Sequence, residues 1–219
     1  MFTIVVAGLV FAFGLAGLLW YYGENEKIKR ALREAKKYSI GEFPDGTQGK
    51  IVGRVQLLGE PLTAPLSGRP CAFYSIRVEE YRSNGKSGSW YRIITDEQGI
   101  NFAMSDGTGQ AIVHAEAAKT VFTEDHETKS GTLDDPTEVE RAYLESHAVE
   151  GQGWVFNKSL RYIEGVLEAG EMVSVFGYGS KEPDPDAAPV GYRDMAPMRL
   201  RISGSANHPP LISDHPSVH

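Results

Sequence analysis

The chain has one cysteine, Cys71, in 219 residues, and no charged side chain at all between Phe2 and Tyr22. A lone thiol excludes an internal disulfide and the cysteine-rich ligand sets of structural zinc sites. The missing charge is equally selective, because a helix packed in a water-soluble core keeps charged residues on its outer face. An uncharged run of this length makes a helix of roughly 31 Å, the depth of a bilayer's hydrocarbon core. No basic residue precedes the run, and it ends in Trp20-Tyr21-Tyr22 rather than a small-residue cleavage site. Both features speak for a retained anchor over a cleaved signal. Basic surplus is lacking as well: the net charge is −7, which argues against nucleic acid as a partner.

Residues 24–37, ENEKIKRALREAKK, place six Lys and Arg immediately after the apolar run. Such a surplus marks the cytoplasmic flank, so the N-terminus is expected outside and the following domain inside. The run reads as a helix that rests on anionic headgroups or continues into solvent. Gly8, Ala12 and Ala16 repeat at four-residue spacing, which lets two membrane helices approach closely and self-associate.

Beyond residue 44 the pattern turns to the two-residue period of strands. Strands are expected at Lys50–Leu58, Cys71–Tyr81, Trp90–Thr95, Asn101–Ser105, Gln110–Ala115, Ser159–Ile163, Glu171–Gly177 and Met198–Ser203. Ala72, Tyr74, Ile76 and Val78 share one face, and SNGKSGS at 83–89 turns a hairpin. Residues 123–150 hold nine acidic and two basic side chains, which accounts for the chain's whole net charge. Within them Asp135-Pro136-Thr137-Glu138 is expected to cap a helix from Pro136 to about His147, with Val139, Ala142, Tyr143 and Ser146 on one side. Lys181–Pro197 reads as a surface loop and 206–219 as a loose tail. The expectation is a mainly β protein: a small barrel-like domain over 45–205, OB-like being one form, with one short inserted helix and a single N-terminal membrane helix over 1–23.

Three blocks carry a family resemblance: GEPLTAPLSGRPCAFY at 59–74, DGTGQAIV at 106–113, and Leu160-Arg161-Tyr162-Ile163-Glu164 followed by Gly170-Glu171 and Val173-Ser174-Val175-Phe176-Gly177. Behind an apolar span they resemble the GIDE domain, also called BAM for "beside a membrane", of mitochondrially anchored E3 ubiquitin ligases and of prokaryotic membrane proteins. The resemblance covers about residues 45–205 and implies a role at a membrane surface. In the two-span ligases the domain lies on the far side of the membrane from the RING, opposite to the side the basic flank favours. Those ligases end in a RING, whose two zinc ions need eight Cys or His ligands. One cysteine and His208, His215 and His219 cannot supply them, so no ligase residue carries over.

Catalytic and metal readings are thin. Ser67, Asp106 and His114 are the residue types of a hydrolytic triad but show no nucleophile elbow. Cys71 reads as a buried small residue, and Asp125-His126-Glu127 are neighbours in sequence that do not converge on one ion. Asp106-Gly107-Thr108-Gly109 lacks the Lys-Ser/Thr ending of a phosphate cradle and reads as a turn. No cofactor or metal is expected. The proline-braced loop 59–70 is the remaining candidate, a rigid surface offering Leu62, Leu66 and Arg69, with Tyr74 beside it, to another protein, or else a cover over one end of the barrel. The expected function is protein binding or scaffolding at the membrane. The alternative is an enzyme: a Ser/His hydrolase, or part of a ubiquitin-like ligase system with its RING on a separate chain.

Overall fold

A computed structural model describes residues 23–85, 87–131, 135–147, 159–185, 197–205 and 208–219. The apolar run Phe2–Tyr22, with Gly8, Ala12 and Ala16, lies outside them, and among the described residues no helix is long and apolar enough to cross a membrane.

The protein is mainly β and is built round a barrel. Five strands close it: β1 (Thr47–Leu57), β6 (Phe102–Ser105), β7 (Gln110–Val113), β12 (Met198–Ser203) and β11 (Met172–Pro183), in the order β1-β6-β7-β12-β11 and back to β1. Each neighbouring pair is antiparallel except β7 with β12. Alternation does the folding here, since Ile51, Val55, Phe102, Met104, Ala111, Val113, Val173, Val175, Leu200 and Ile202 all point inward and are buried. Phe43 is fully buried against β1 and β11 at Gly49 and Gly179. A Cβ at Gly179 would stand 2.3 Å from the Phe43 ring, so this contact requires glycine.

A second, four-stranded sheet grows from two loops of the barrel. The connection between β1 and β6 supplies β2 (Leu62–Thr63), β3 (Pro70–Cys71), β4 (Phe73–Ser83) and β5 (Gly88–Gly99). The connection between β7 and β11 supplies β8 (Lys119–Val121), β9 (His126–Ser130), α2 (Glu138–Ser146) and β10 (Leu160–Leu167). Pairing runs β5-β4-β10-β9, with a register shift at Val78/Glu79. Ile76, Val78, Leu160, Tyr162 and Val166 face inward, and Tyr143 and Leu144 of α2 close their core.

Several expectations change. The helix begins at Glu138, not Pro136: Thr137 is its N-cap, and Glu140 returns the bond in a capping box. Val139, expected on the packed side, is exposed, while Glu140, Tyr143 and Leu144 are buried. β10 runs on to Leu167, and β11 takes in Lys181–Pro183, the start of the expected loop. The acidic stretch holds a strand, β9, which pairs with β10, and just before it β8 pairs with a further strand, β13 (Leu211–Ser213).

The tail is not loose over its described part. β13 pairs with β11, Ile212 and Ser213 are buried, and a 3-10 turn at Pro216–Val218 buries Val218. Burial of Ile212 and Val218 supplies the apolar area that fixes the segment. The Lys50 ammonium and the Ser174 hydroxyl both donate to the Val218 carbonyl, at 2.8 and 2.9 Å. Burial, reinforced by the charge of Lys37, lowers the Lys50 pKa.

Asp214 follows β13 and accepts from the Thr123 backbone N–H at 2.8 Å. Burial raises its pKa above the ordinary carboxylate value, and these hydrogen bonds only partly oppose that. A raised carboxyl stabilises the fold while protonated and loses that contribution as pH rises through its folded pKa. Asp214→Asn keeps the Oδ1 acceptor without the buried charge. It is expected to melt above the wild type at pH 7.5, with the difference closing on acidification below about pH 4, as followed by circular dichroism.

The helix after the apolar run, α1 over 23–34, is docked rather than solvated. Ile28 and Leu32, one turn apart, are buried against Val121 and Val218, with Phe176 and Leu211 beside them. Its other faces carry the basic side chains. Glu24 pairs with Lys119 at 2.5 Å. At its far end, the Lys36 carbonyl accepts from the Lys50 N–H at 2.9 Å, which ties the helix exit to the barrel wall.

Candidate functional site

The proline loop proves to be a cover, held from inside. Glu164 of β10 is fully buried, and its carboxylate accepts from the Leu66 N–H at 2.9 Å and the Ser67 N–H at 3.1 Å. Arg69 is engaged as well: its guanidinium meets Glu168 at 3.1 Å and Asp125 at 3.8 Å, and its Nε donates to the Ser67 hydroxyl at 3.2 Å. Leu62 and Leu66 pack on the core of the second sheet. Tyr74 is buried, with its hydroxyl donating to Gln98 at 3.0 Å. Of the four residues expected to meet a partner, Leu62, Leu66 and Arg69 stay partly exposed while packing on the fold, and Tyr74 is buried.

The catalytic candidates share no common set of partners. Asp106 accepts from the Ile40 N–H at 2.8 Å and from the Thr108 N–H at 2.8 Å. Burial alone would raise its pKa, but the bonds from Thr108, Ile40 and Gly109 outweigh burial and hold it below the usual value. Gly107 supplies the left-handed corner of this turn, at φ 87°. His114 continues β7, its N–H bonded to the Ile202 carbonyl at 2.9 Å. Cys71 is fully buried, and burial, with Glu164 and Glu168 nearby, pushes its thiol up to about 11. Such a thiol stays protonated and is a poor nucleophile. Asp125 accepts from the Val166 N–H at 2.8 Å, and His126 and Glu127 lie in β9, so these neighbours point away from a common centre. Among the described residues no group of three or more metal-ligating side chains converges.

Two concave surfaces lie among the described residues. The first is an open groove of about 710 Å³ on the outer face of β1 and β6, lined by Tyr38, Val52, Arg54, Gln56, Asp106 and Met172 among others. Val52, Tyr38 and the exposed Met172 make its apolar floor, and Arg54, Lys37 and Asp106 stand at its rim. Arg54 is held in place by donating to the Gly170 carbonyl at 2.8 Å, and the Lys36 ammonium lies 4.9 Å from the Tyr38 ring centre. An apolar floor with a charged rim is the composition of a protein-docking surface. The second is a cleft of about 380 Å³ between α1 and the outer face of the second sheet, where Asn25, Glu26 and Lys29 meet Ser75, Arg77 and Glu97. Its charges are largely paired off: Lys29 with Glu26 at 3.4 Å, and Arg77 with Glu79 at 2.8 Å and Glu124 at 2.6 Å.

Neither surface stands out in the sequence. Met172, Arg54 and Tyr38 are far apart in the chain and come together only because β1 pairs with β11 on one side and β6 on the other. The outward positions of β1, Val52, Arg54 and Gln56, were the available signal, an alternating row beside the inward Ile51 and Val55.

Comparison of the chain with protein-family models, curated proteins and solved structures returns no significant match.

Proposed function

We propose that this protein is a single-pass membrane adaptor, whose barrel is held in a fixed pose at the bilayer and offers the β1/β6 groove to another protein. The observation that carries the reading is the docking of α1. In sequence α1 follows the uncharged run Phe2–Tyr22, and it is clamped to the barrel by Ile28 and Leu32. An anchor on a floppy linker would leave the domain free to tumble, and burying two large aliphatic side chains would then serve no purpose. The groove residues Lys37 and Tyr38 follow the far end of α1, whose twelve residues span roughly 18 Å from the apolar run.

The resemblance of the three sequence blocks to the GIDE domain supports the same reading, and the barrel order with its one parallel pair suits an OB-like domain, a fold that binds on the face of its second and third strands. Here those strands are β6 and β7, beside the groove. The basic flank favours a cytoplasmic domain. No arrangement among Ser67, Asp106, His114 and Cys71 favours the enzyme reading.

A photo-crosslinking side chain at Met172, in native membranes, tests the proposal. One discrete adduct is expected, lost with Arg54→Glu and kept with Arg201→Glu on the barrel's other side. No adduct, or the same pattern from a probe at Tyr178, would refute the groove as a docking surface. Release of the intact chain by alkaline washing would refute the anchor.

A further inference from the structure

We infer that the tip of the β4–β5 hairpin is a second membrane contact, seated in the lipid headgroup layer beside the anchor. The inference rests on the anchored reading and adds a surface that the reading does not require. Its chemistry comes first. In a chain of net charge −7, the stretch Tyr81–Arg92 has no acidic side chain. It carries Tyr81, Trp90 and Tyr91 with Arg82 and Arg92, and Tyr81 is 41% exposed, among the few large hydrophobic side chains left in solvent. The Tyr81 and Trp90 rings pack at 5.3 Å, Arg161 lies 4.6 Å from the Trp90 ring centre, and Arg82 lies 5.1 Å from that of Tyr91. Rings of this kind, apolar with a polar edge and flanked by arginines, are the side chains that settle between headgroups and acyl chains.

Placement comes second. Asn25, Glu26 and Lys29, in the first two turns of α1, line a cleft with Ser75 and Arg77 of β4. β4 runs with Phe73 in the barrel core, Arg77 at the cleft and Tyr81 beyond it. The hairpin tip therefore lies farther along β4 from the barrel core than Arg77, the level at which β4 meets the first two turns of α1. From Arg77 to Ser83 the strand advances roughly 20 Å, whereas from Asn25 to Gly23, where α1 begins, the helix advances only about 3 Å. The tip is long enough to meet the bilayer even if it is inclined. Two contacts, the anchor and the tip, would remove the domain's freedom to spin about the helix axis.

Trp90 reports on this directly. With Trp20→Phe and Trp154→Phe in the full chain, it is the sole tryptophan. In vesicles containing anionic lipid brominated near the headgroup, its fluorescence is expected to fall roughly twofold relative to unbrominated vesicles. Adding Ser87→Glu in the turn and Ser89→Glu at the start of β5, both at exposed positions, is expected to abolish most of that quenching without unfolding the domain. Unquenched Trp90 in protein that resists alkaline extraction overturns the inference and leaves the anchor standing. Quenching unchanged by the two glutamates also overturns it. Protein that fails to enter vesicles overturns both readings.

Discussion

Glu164→Ala is expected to lower the stability of the domain by about 3 kcal/mol, the cost of stranding two N–H groups that bond an ionised acceptor. In a protein of this size that corresponds to a melting temperature lower by on the order of 10 °C. The carboxylate is fully buried in β10 and is the only thing described that meets the Leu66 and Ser67 N–H groups, so the proline loop depends on it. Glu164→Gln is the sharper comparison. Its Oε1 can still accept from one N–H, but its amide nitrogen then faces the other, and donor against donor restores little. Both variants are expected to expose Cys71, which lies beneath the loop, to thiol reagents well before global melting. A melting curve unchanged by either substitution would mean that the loop is held by its prolines and the Arg69 ion pairs without Glu164.

Leu32→Ala is the second large effect. Leu32 is fully buried, and truncating a buried leucine costs about 3 kcal/mol including the cavity it leaves. The loss falls on docking more than on the barrel, because Leu32 belongs to a small core of its own with Ile28, Val121 and Val218. Amides of 27–34 are expected to exchange with deuterium on the order of 100-fold faster, while amides of β1 and β11 keep their protection. Equal acceleration throughout would show that α1 is part of the barrel's cooperative unit, and no acceleration would show that the helix is held elsewhere.

What the sequence discloses follows from the range of the interactions. The β4–β5 hairpin is readable because alternation and a polar turn are local: Tyr74, Ile76 and Val78 do share a buried face, while Ala72, before β4, packs in the barrel core. The turn at Asp106-Gly107-Thr108-Gly109 is readable for the same reason. Barrel closure is not, since β1 meets β11 across more than a hundred residues. β9 is short and polar, HETKS, and becomes a strand only because β10 offers it an edge. The tail has the same history, with Leu211 and Ile212 fixed by β11 and β8. Ile28 and Leu32 were visible at i and i+4, but among six basic residues they read as a gap in charge, not as a docking face. How the proline loop is held was not legible, because Glu164 and Glu168, which hold it, lie far along the chain.

The claim under test is that a membrane helix passes its orientation to the barrel through α1. Spin labels at Arg30 and Gln110, both exposed, with Cys71→Ala in the full-length chain in vesicles, measure it by pulsed dipolar spectroscopy. A single narrow distance distribution, the same in vesicles and in detergent and broadened by Leu32→Asp, is the predicted result. A broad distribution in the unaltered helix would contradict it, because the domain would then swing freely from its anchor.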